Sequence, residues 1–176
     1  MAVLVAYATA GGSTRGVAER IATGLEGCGT VELRNSTEVD SLRRYEALII
    51  GSAIHNGQWL PAAAETVERL RAELEGRTVW AFSVSSVGAT STTLSPRLAR
   101  YLRRATPEPK AVQDLRSVAD VCDHRFFAGA ITPGDWPGFG RIVFRLMGGH
   151  YGDARDWDDI DEWTGRIRTQ LVENPM

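Results

Sequence analysis

The chain has 176 residues, 43% of them apolar, and a formal charge of -2, which predicts one core and a single domain over residues 1–176. That near-neutral balance excludes the basic bias of a nucleic-acid binder, and no run approaches the roughly 18 apolar residues of a membrane span. Cys28 and Cys122 lack metal-ligand spacing, so no metal is expected and both are read as thiols of a cytoplasmic protein.

Val3, Leu4, Val5 and Ala6 form a short continuous apolar run, the pattern of a strand buried on both faces. After a turn of glycines and hydroxyls, Val17, Ala18, Ile21, Ala22 and Leu25 recur at helical spacing and end in Gly27 and Gly29, which predicts the first helix. Residues 30–33 read as a second strand and residues 47–50 as a third, ending at Gly51 and Ser52. Residues 59–74 predict one helix, with Ala63, Val67, Leu70 and Leu74 along a stripe and Gly76 past its end. A fourth strand covers 78–82, a hydroxyl-rich loop 83–95, and a short helix 96–104 opens on Pro96. Residues 124–131 predict a fifth strand and 157–171 a closing helix, capped by Asp156 with Asp159 at its third position. The intervening 132–153 is too long for an ordinary connection and reads as an insertion. Strands alternating with helices imply a doubly wound α/β domain with a parallel sheet, whose ligands bind beyond the carboxyl ends of the strands.

The first such end carries Thr9, Ala10, Gly11, Gly12, Ser13 and Thr14. Glycines allow close backbone approach, and amides at the helix start together with the hydroxyls of Thr9, Ser13 and Thr14 can hold a phosphate without a lysine. The turn lacks the lysine of a nucleoside-triphosphate loop and the glycine spacing of a dinucleotide fingerprint. A tight turn with a helix cap is the plain alternative. Two further loops weigh against it: Ser52, Ala53, Ile54, His55, Asn56 and Gly57 follow the third strand, and Ser83, Val84, Ser85, Ser86, Val87 and Gly88 the fourth. All three are expected to meet at one crevice.

On these three loops the chain resembles the flavodoxin superfamily over essentially its full length. The resemblance implies a five-stranded parallel sheet of order 2-1-3-4-5 with helices on both faces. It also implies flavin mononucleotide (FMN), with the phosphate on the first loop and the ring between the other two; a deazaflavin is open to the same crevice. Within the superfamily, Gly51 to Ile54, the arginine-bearing stretch ending Met147, Gly148 and Gly149, and Asp156 with Trp157 look like the flavodoxin-type protoporphyrinogen dehydrogenases. That subfamily implies oxidation of protoporphyrinogen with a quinone or similar acceptor. The alternative within the superfamily is an electron carrier between a reductase and an acceptor protein.

Residues 83–95 contain no aromatic side chain, which leaves one ring face open for a stacking substrate and favours an enzyme. His55 or Trp59 is placed to cover the other face, although Trp59 also suits the core. His55 is the expected proton relay, beside the ring position; His124 reads as a structural, hydrogen-bonded histidine and His150 as exposed. In the insertion, Phe139, Ile142, Val143 and Leu146 share helical spacing, with Arg141 and Arg145 on another face. This predicts either an amphipathic helix packed on the domain, or one that walls the crevice and offers Arg141 and Arg145 to the propionates of a porphyrinogen. The same stripe would suit peripheral contact with a membrane near a quinone pool. The acidic residues 153–159 are read as helix capping rather than a cation site.

Overall fold

The computed structural model describes residues 1–134 and 139–173. The first apolar run is strand β1 (Ala2–Ala8). Its side chains divide by the two-residue period of a strand: Leu4, Ala6 and Ala8 enter one core, Val3, Val5 and Tyr7 the other. Strands β3 (Ala47–His55) and β5 (Thr78–Ser85) do the same, Leu48, Ile50, Val79 and Ala81 facing one side, Ala47, Ile49, Trp80 and Phe82 the other. With β2 (Thr30–Asn35) and β6 (Asp120–Ala128) they form a parallel sheet of order β2-β1-β3-β5-β6. Counting only these parallel strands, that is the expected order 2-1-3-4-5.

Helix α1 (Ser13–Gly24) and the closing helix α7 (Trp157–Glu173) cover the second core. Helices α2 (Pro61–Arg69), α3 (Arg71–Leu74) and α5 (Lys110–Val118) cover the first. Helix α4 (Pro96–Ala105) opens on proline as expected. Asp156 Oδ1 accepts from the Asp159 amide at 3.2 Å, capping α7 as expected. Asp159 is itself buried and pairs with Arg125 of β6, joining helix to sheet. Both cysteines are free thiols.

Several element boundaries differ from the sequence reading. Strand β3 does not stop at Gly51 and Ser52. It continues to His55, turns at Asn56 and Gly57, and pairs back through β4 (Gln58–Trp59). Gly51 is required by packing: a side chain there would strike the ring of Phe82 on the neighbouring strand. The helix expected over 59–74 begins at Pro61 and breaks at Leu70, and Trp59 belongs to β4. Helix α5 is an element beyond the sequence expectation, with Ala111, Val112 and Leu115 buried on its inner face. Strand β6 starts at Asp120 and ends at Ala128.

Beyond β6, strand β7 (Ala130–Ile131) pairs antiparallel with β8 (Gly152–Asp153). These strands form a narrow stem for the segment carrying α6 (Phe139–Leu146). Residues 135–138 of the expected insertion lie outside the described residues. Helix α6 does not pack through the expected stripe, because Phe139, Ile142 and Leu146 are 76%, 55% and 83% exposed. Phe144 anchors it instead: the ring is fully buried and lies 5.2 Å from that of Tyr151. Among the described residues, no helix is long and apolar enough to cross a membrane.

Candidate functional site at the carboxyl ends of the strands

The strand order reverses between β1 and β3, so their crossovers leave on opposite faces of the sheet. Ala8 pairs with Ser52, and Ser52 with Ser83, which brings the carboxyl ends of β1, β3 and β5 level. A crevice at this switch point is the expected ligand position in a doubly wound fold.

The first loop has the features of an anion cradle. Gly12 adopts φ 88°, in the left-handed region, and its amide donates to Thr9 Oγ1 at 2.9 Å. A side chain at Gly12 would meet no neighbouring atom within 4 Å. Helix α1 starts here with no side-chain cap and no acidic residue in its first turn, leaving its first amides and the positive end of its dipole to a ligand. The Thr14 hydroxyl is buried with no hydrogen-bond partner, an uncommon and costly state for a polar group. Ala10, Gly11 and Gly12 are exposed, Thr9 and Ser13 half-buried. A terminal phosphate fits this donor set.

The second loop is a tight hairpin. Asn56 (φ 50°) and Gly57 (φ 76°) form a two-residue turn with both φ positive, and His55 pairs with Gln58, the geometry that asparagine followed by glycine favours. His55 and Asn56 at the tip are exposed, Ala53, Ile54 and Gly57 partly so. Ser52 differs. It is fully buried, and its hydroxyl accepts from the Leu60 amide at 3.0 Å and donates to Ala53 O at 2.8 Å.

In the third segment, Ser83 and Val84 lie inside β5 and are buried. The loop proper begins at Ser86 and folds on itself: Val87 bridges Thr92, and Ser86 O accepts from the Thr93 amide at 2.9 Å. Ser85 Oγ accepts from the Val87 amide at 3.1 Å. Gly88 is buried against the backbone of Phe127 and Ala128, and its carbonyl accepts from Arg103 Nε at 2.7 Å.

The Ser83 hydroxyl belongs to a buried chain. Trp59 Nε1 donates to Ser83 Oγ at 2.8 Å, Ser83 Oγ lies 2.8 Å from His124 Nε2, and His124 Nδ1 lies 2.9 Å from Glu108 Oε1. Since the indole can only donate, a consistent assignment has Ser83 donating to His124 and His124 donating from Nδ1 to Glu108. Burial lowers the His124 pKa, with Glu108 opposing the shift. For Glu108, burial alone would raise the pKa, but its hydrogen bond and charge interaction with Arg116 and those with His124 outweigh it and hold the carboxylate ionised. The arrangement resembles a serine, histidine and carboxylate relay, yet Ser83 is 0% exposed and meets the indole of Trp59. It joins the hairpin, β5 and β6 internally. His124 is therefore structural, as expected, and Trp59 is 4% exposed within the core rather than over a ring face.

The segment after β6 adjoins both the first and third loops. A side chain at Gly129 would come within 2.9 Å of Ser13 Oγ. Met147 O accepts from the Ser95 amide at 3.3 Å, and the His150 amide donates to Thr93 O at 2.9 Å. Arg141 and Arg145 are exposed on α6, and His150 is exposed as expected. Arg155, not singled out from sequence, packs against Gly16 of α1, stacks 4.5 Å from the Trp157 ring and makes a two-pronged contact with Asp153. Its distance from Gly16 along the chain hid the contact. Two surface concavities, of about 280 Å³ around Arg34 to Tyr45 and about 360 Å³ around Glu19 to Leu33, involve none of the three loops.

A family model described as a flavodoxin domain matches residues 4–147. The chain belongs to the flavodoxin-domain family. Among solved structures, this flavodoxin-domain protein is similar to oxidised flavodoxin 2 from Bacillus cereus, at 16% identity over 98% of this chain and 99% of that one, with a TM-score of 0.58. It is similar to a Fusobacterium nucleatum flavodoxin bound to flavin mononucleotide, at 16% identity over 96% and 98% of the two chains, with a TM-score of 0.58. Rubredoxin oxygen:oxidoreductase from Desulfovibrio gigas aligns at 19% identity with a TM-score of 0.53, over 98% of this chain but 36% of that one. At these identities the likeness is one of fold. No curated protein matches the chain.

Proposed function

We propose that the protein binds FMN at the switch-point crevice and acts as an oxidoreductase of the protoporphyrinogen dehydrogenase type, with a quinone or similar acceptor. The observation that carries the flavin reading is the uncapped start of α1, where the Thr14 hydroxyl, bonded to no protein group, and the first-turn amides can donate to an anion. FMN supplies electron transfer once bound. The backbone of Thr9 to Thr14 holds the phosphate, while Ala53 to Gly57 and Ser85 to Val87 border the ring. His55, exposed at the hairpin tip, is the candidate to hold or move a proton there.

The enzyme reading rests on charge as well as on the absence of aromatics at 83–95. Residues 76–107 and 139–151 contain no acidic side chain, so the third loop, α4 and α6 themselves contribute none of the carboxylates with which an acidic carrier steers basic partners, and Asp156, which meets the loop, is engaged with Thr90 and the start of α7. Arg141 and Arg145 on α6 suit the propionates of a porphyrinogen instead.

The test is a titration of the ligand-free protein with FMN and with riboflavin, which lacks the phosphate, followed by anaerobic mixing with protoporphyrinogen and a soluble quinone. Gly12→Asp should weaken FMN by roughly 100-fold through charge repulsion and leave riboflavin nearly unchanged. Equal affinity of the variant for both flavins, with FMN undiminished, would remove the phosphate assignment. Flavin binding without turnover would leave an electron carrier.

A further inference from the structure

We propose that the outward faces of α4 and α6 form one surface that docks on an anionic phospholipid membrane. The two helices meet end to end: the Ser95 amide, at the start of α4, donates to Met147 O just past α6, and a side chain at Gly148 would come within 2.7 Å of Ser95 Cβ. On α6, Phe139, Ile142 and Leu146 follow one another at helical spacing and are 76%, 55% and 83% exposed, while Phe144 holds the opposite side in the protein. On α4, Ala99 is buried and Arg97, Arg100 and Arg104 lie along the exposed side with Tyr101. Arg141 and Arg145 stand beside the apolar stripe. Among the described residues, none of these five arginines makes an ion pair, although the chain as a whole is slightly acidic.

This combination favours a lipid surface over a protein partner. Large apolar side chains that protrude singly from a short convex helix need no complementary pocket to enter a bilayer interface. Guanidinium groups at their level bind phosphate oxygens through paired hydrogen bonds, and an aromatic with a polar tip suits the headgroup region. Unpaired arginines also gain from the negative potential of anionic lipids. The proposal stands on the α4 and α6 surface alone and is independent of the flavin reading.

Co-sedimentation of the full chain with phosphatidylcholine vesicles, pure or containing about 30% phosphatidylglycerol, tests it. Binding should require the anionic lipid and weaken in about 0.5 M salt. Phe139→Ser with Leu146→Ser, and separately Arg97→Glu with Arg100→Glu, should each lower partitioning by roughly tenfold or more, with unchanged circular dichroism. No binding by the native chain would overturn the proposal, as would binding that survives both double variants. A monomer–dimer equilibrium lost in the same variants, without vesicle binding, would assign the surface to a second copy of the chain and equally overturn it.

Discussion

The indole nitrogen of Trp59 donates to the hydroxyl of Ser83 across 2.8 Å, fastening the hairpin after β3 to the centre of the sheet. Because Ser83 also bonds His124, Ser83→Ala would strand two buried polar groups at once. It should destabilise the protein by about 1–3 kcal/mol. Urea unfolding at pH 7.5 measures this, and a change below about 0.5 kcal/mol would show that water replaces the lost hydroxyl.

The same chain predicts a pH dependence. The His124 pKa is lowered from 6.5 by burial, so below about 6.5 the unfolded chain takes up a proton that the folded protein still refuses. Stability is then fully present above that value, falls as the pH drops through it, and levels once the folded pKa is passed. His124→Gln should flatten this decline. Urea midpoints between pH 8 and 5 provide the comparison, with a slope unchanged by the substitution contradicting it. Glu108, held low, would act only in a more acidic range.

Thr14→Val separates folding from ligand capture. The native hydroxyl is buried and no protein group bonds it, so its removal should leave stability unchanged or raise it by up to about 1 kcal/mol. FMN affinity should fall by roughly tenfold, one hydrogen bond to a charged group being lost. Calorimetry and a flavin titration on the same preparation read the two effects, and a parallel loss of both would make Thr14 structural.

Phe144→Ala should act locally. The ring is fully buried beneath α6 and packs on Tyr151; its truncation costs about 3–5 kcal/mol where the surroundings cannot collapse. Backbone bonds at Ser95 and Thr93 would still tether the segment when the ring is gone, so the expected result is faster proteolysis within residues 132–153 at a nearly unchanged melting temperature. A large fall in melting temperature would mean that this segment unfolds with the main body.

The alternation of elements was legible because strands buried on both faces appear as unbroken apolar runs, as at Val3 to Ala6 and Ala47 to Ile50. The hairpin is obscured in the sequence although Asn56 and Gly57 are a strong turn signal, since Gly51 and Ser52 resemble a strand end and only the packing of Phe82 across Gly51 shows otherwise. Hydroxyl content could not separate Ser52 and Ser83, committed to internal bonds, from Thr9 and Ser13 at the surface. For α6, Gly140, Val143, Phe144 and Met147 form a second stripe of helical spacing; periodicity alone does not say which stripe faces inward. Helix α5 has its own signal in Ala111, Val112 and Leu115, but over 9 residues the stripe is too short to stand out from a loop.

The turn at Asn56 and Gly57 also bears on how fast a ligand is captured. Both residues are already held at positive φ by a closed two-residue reverse turn, so on the proposed flavin reading the hairpin would have little backbone freedom left to surrender when a guest arrives. Capture should therefore follow diffusion and the dipole at the start of α1, with no slow closing phase contributed by the hairpin.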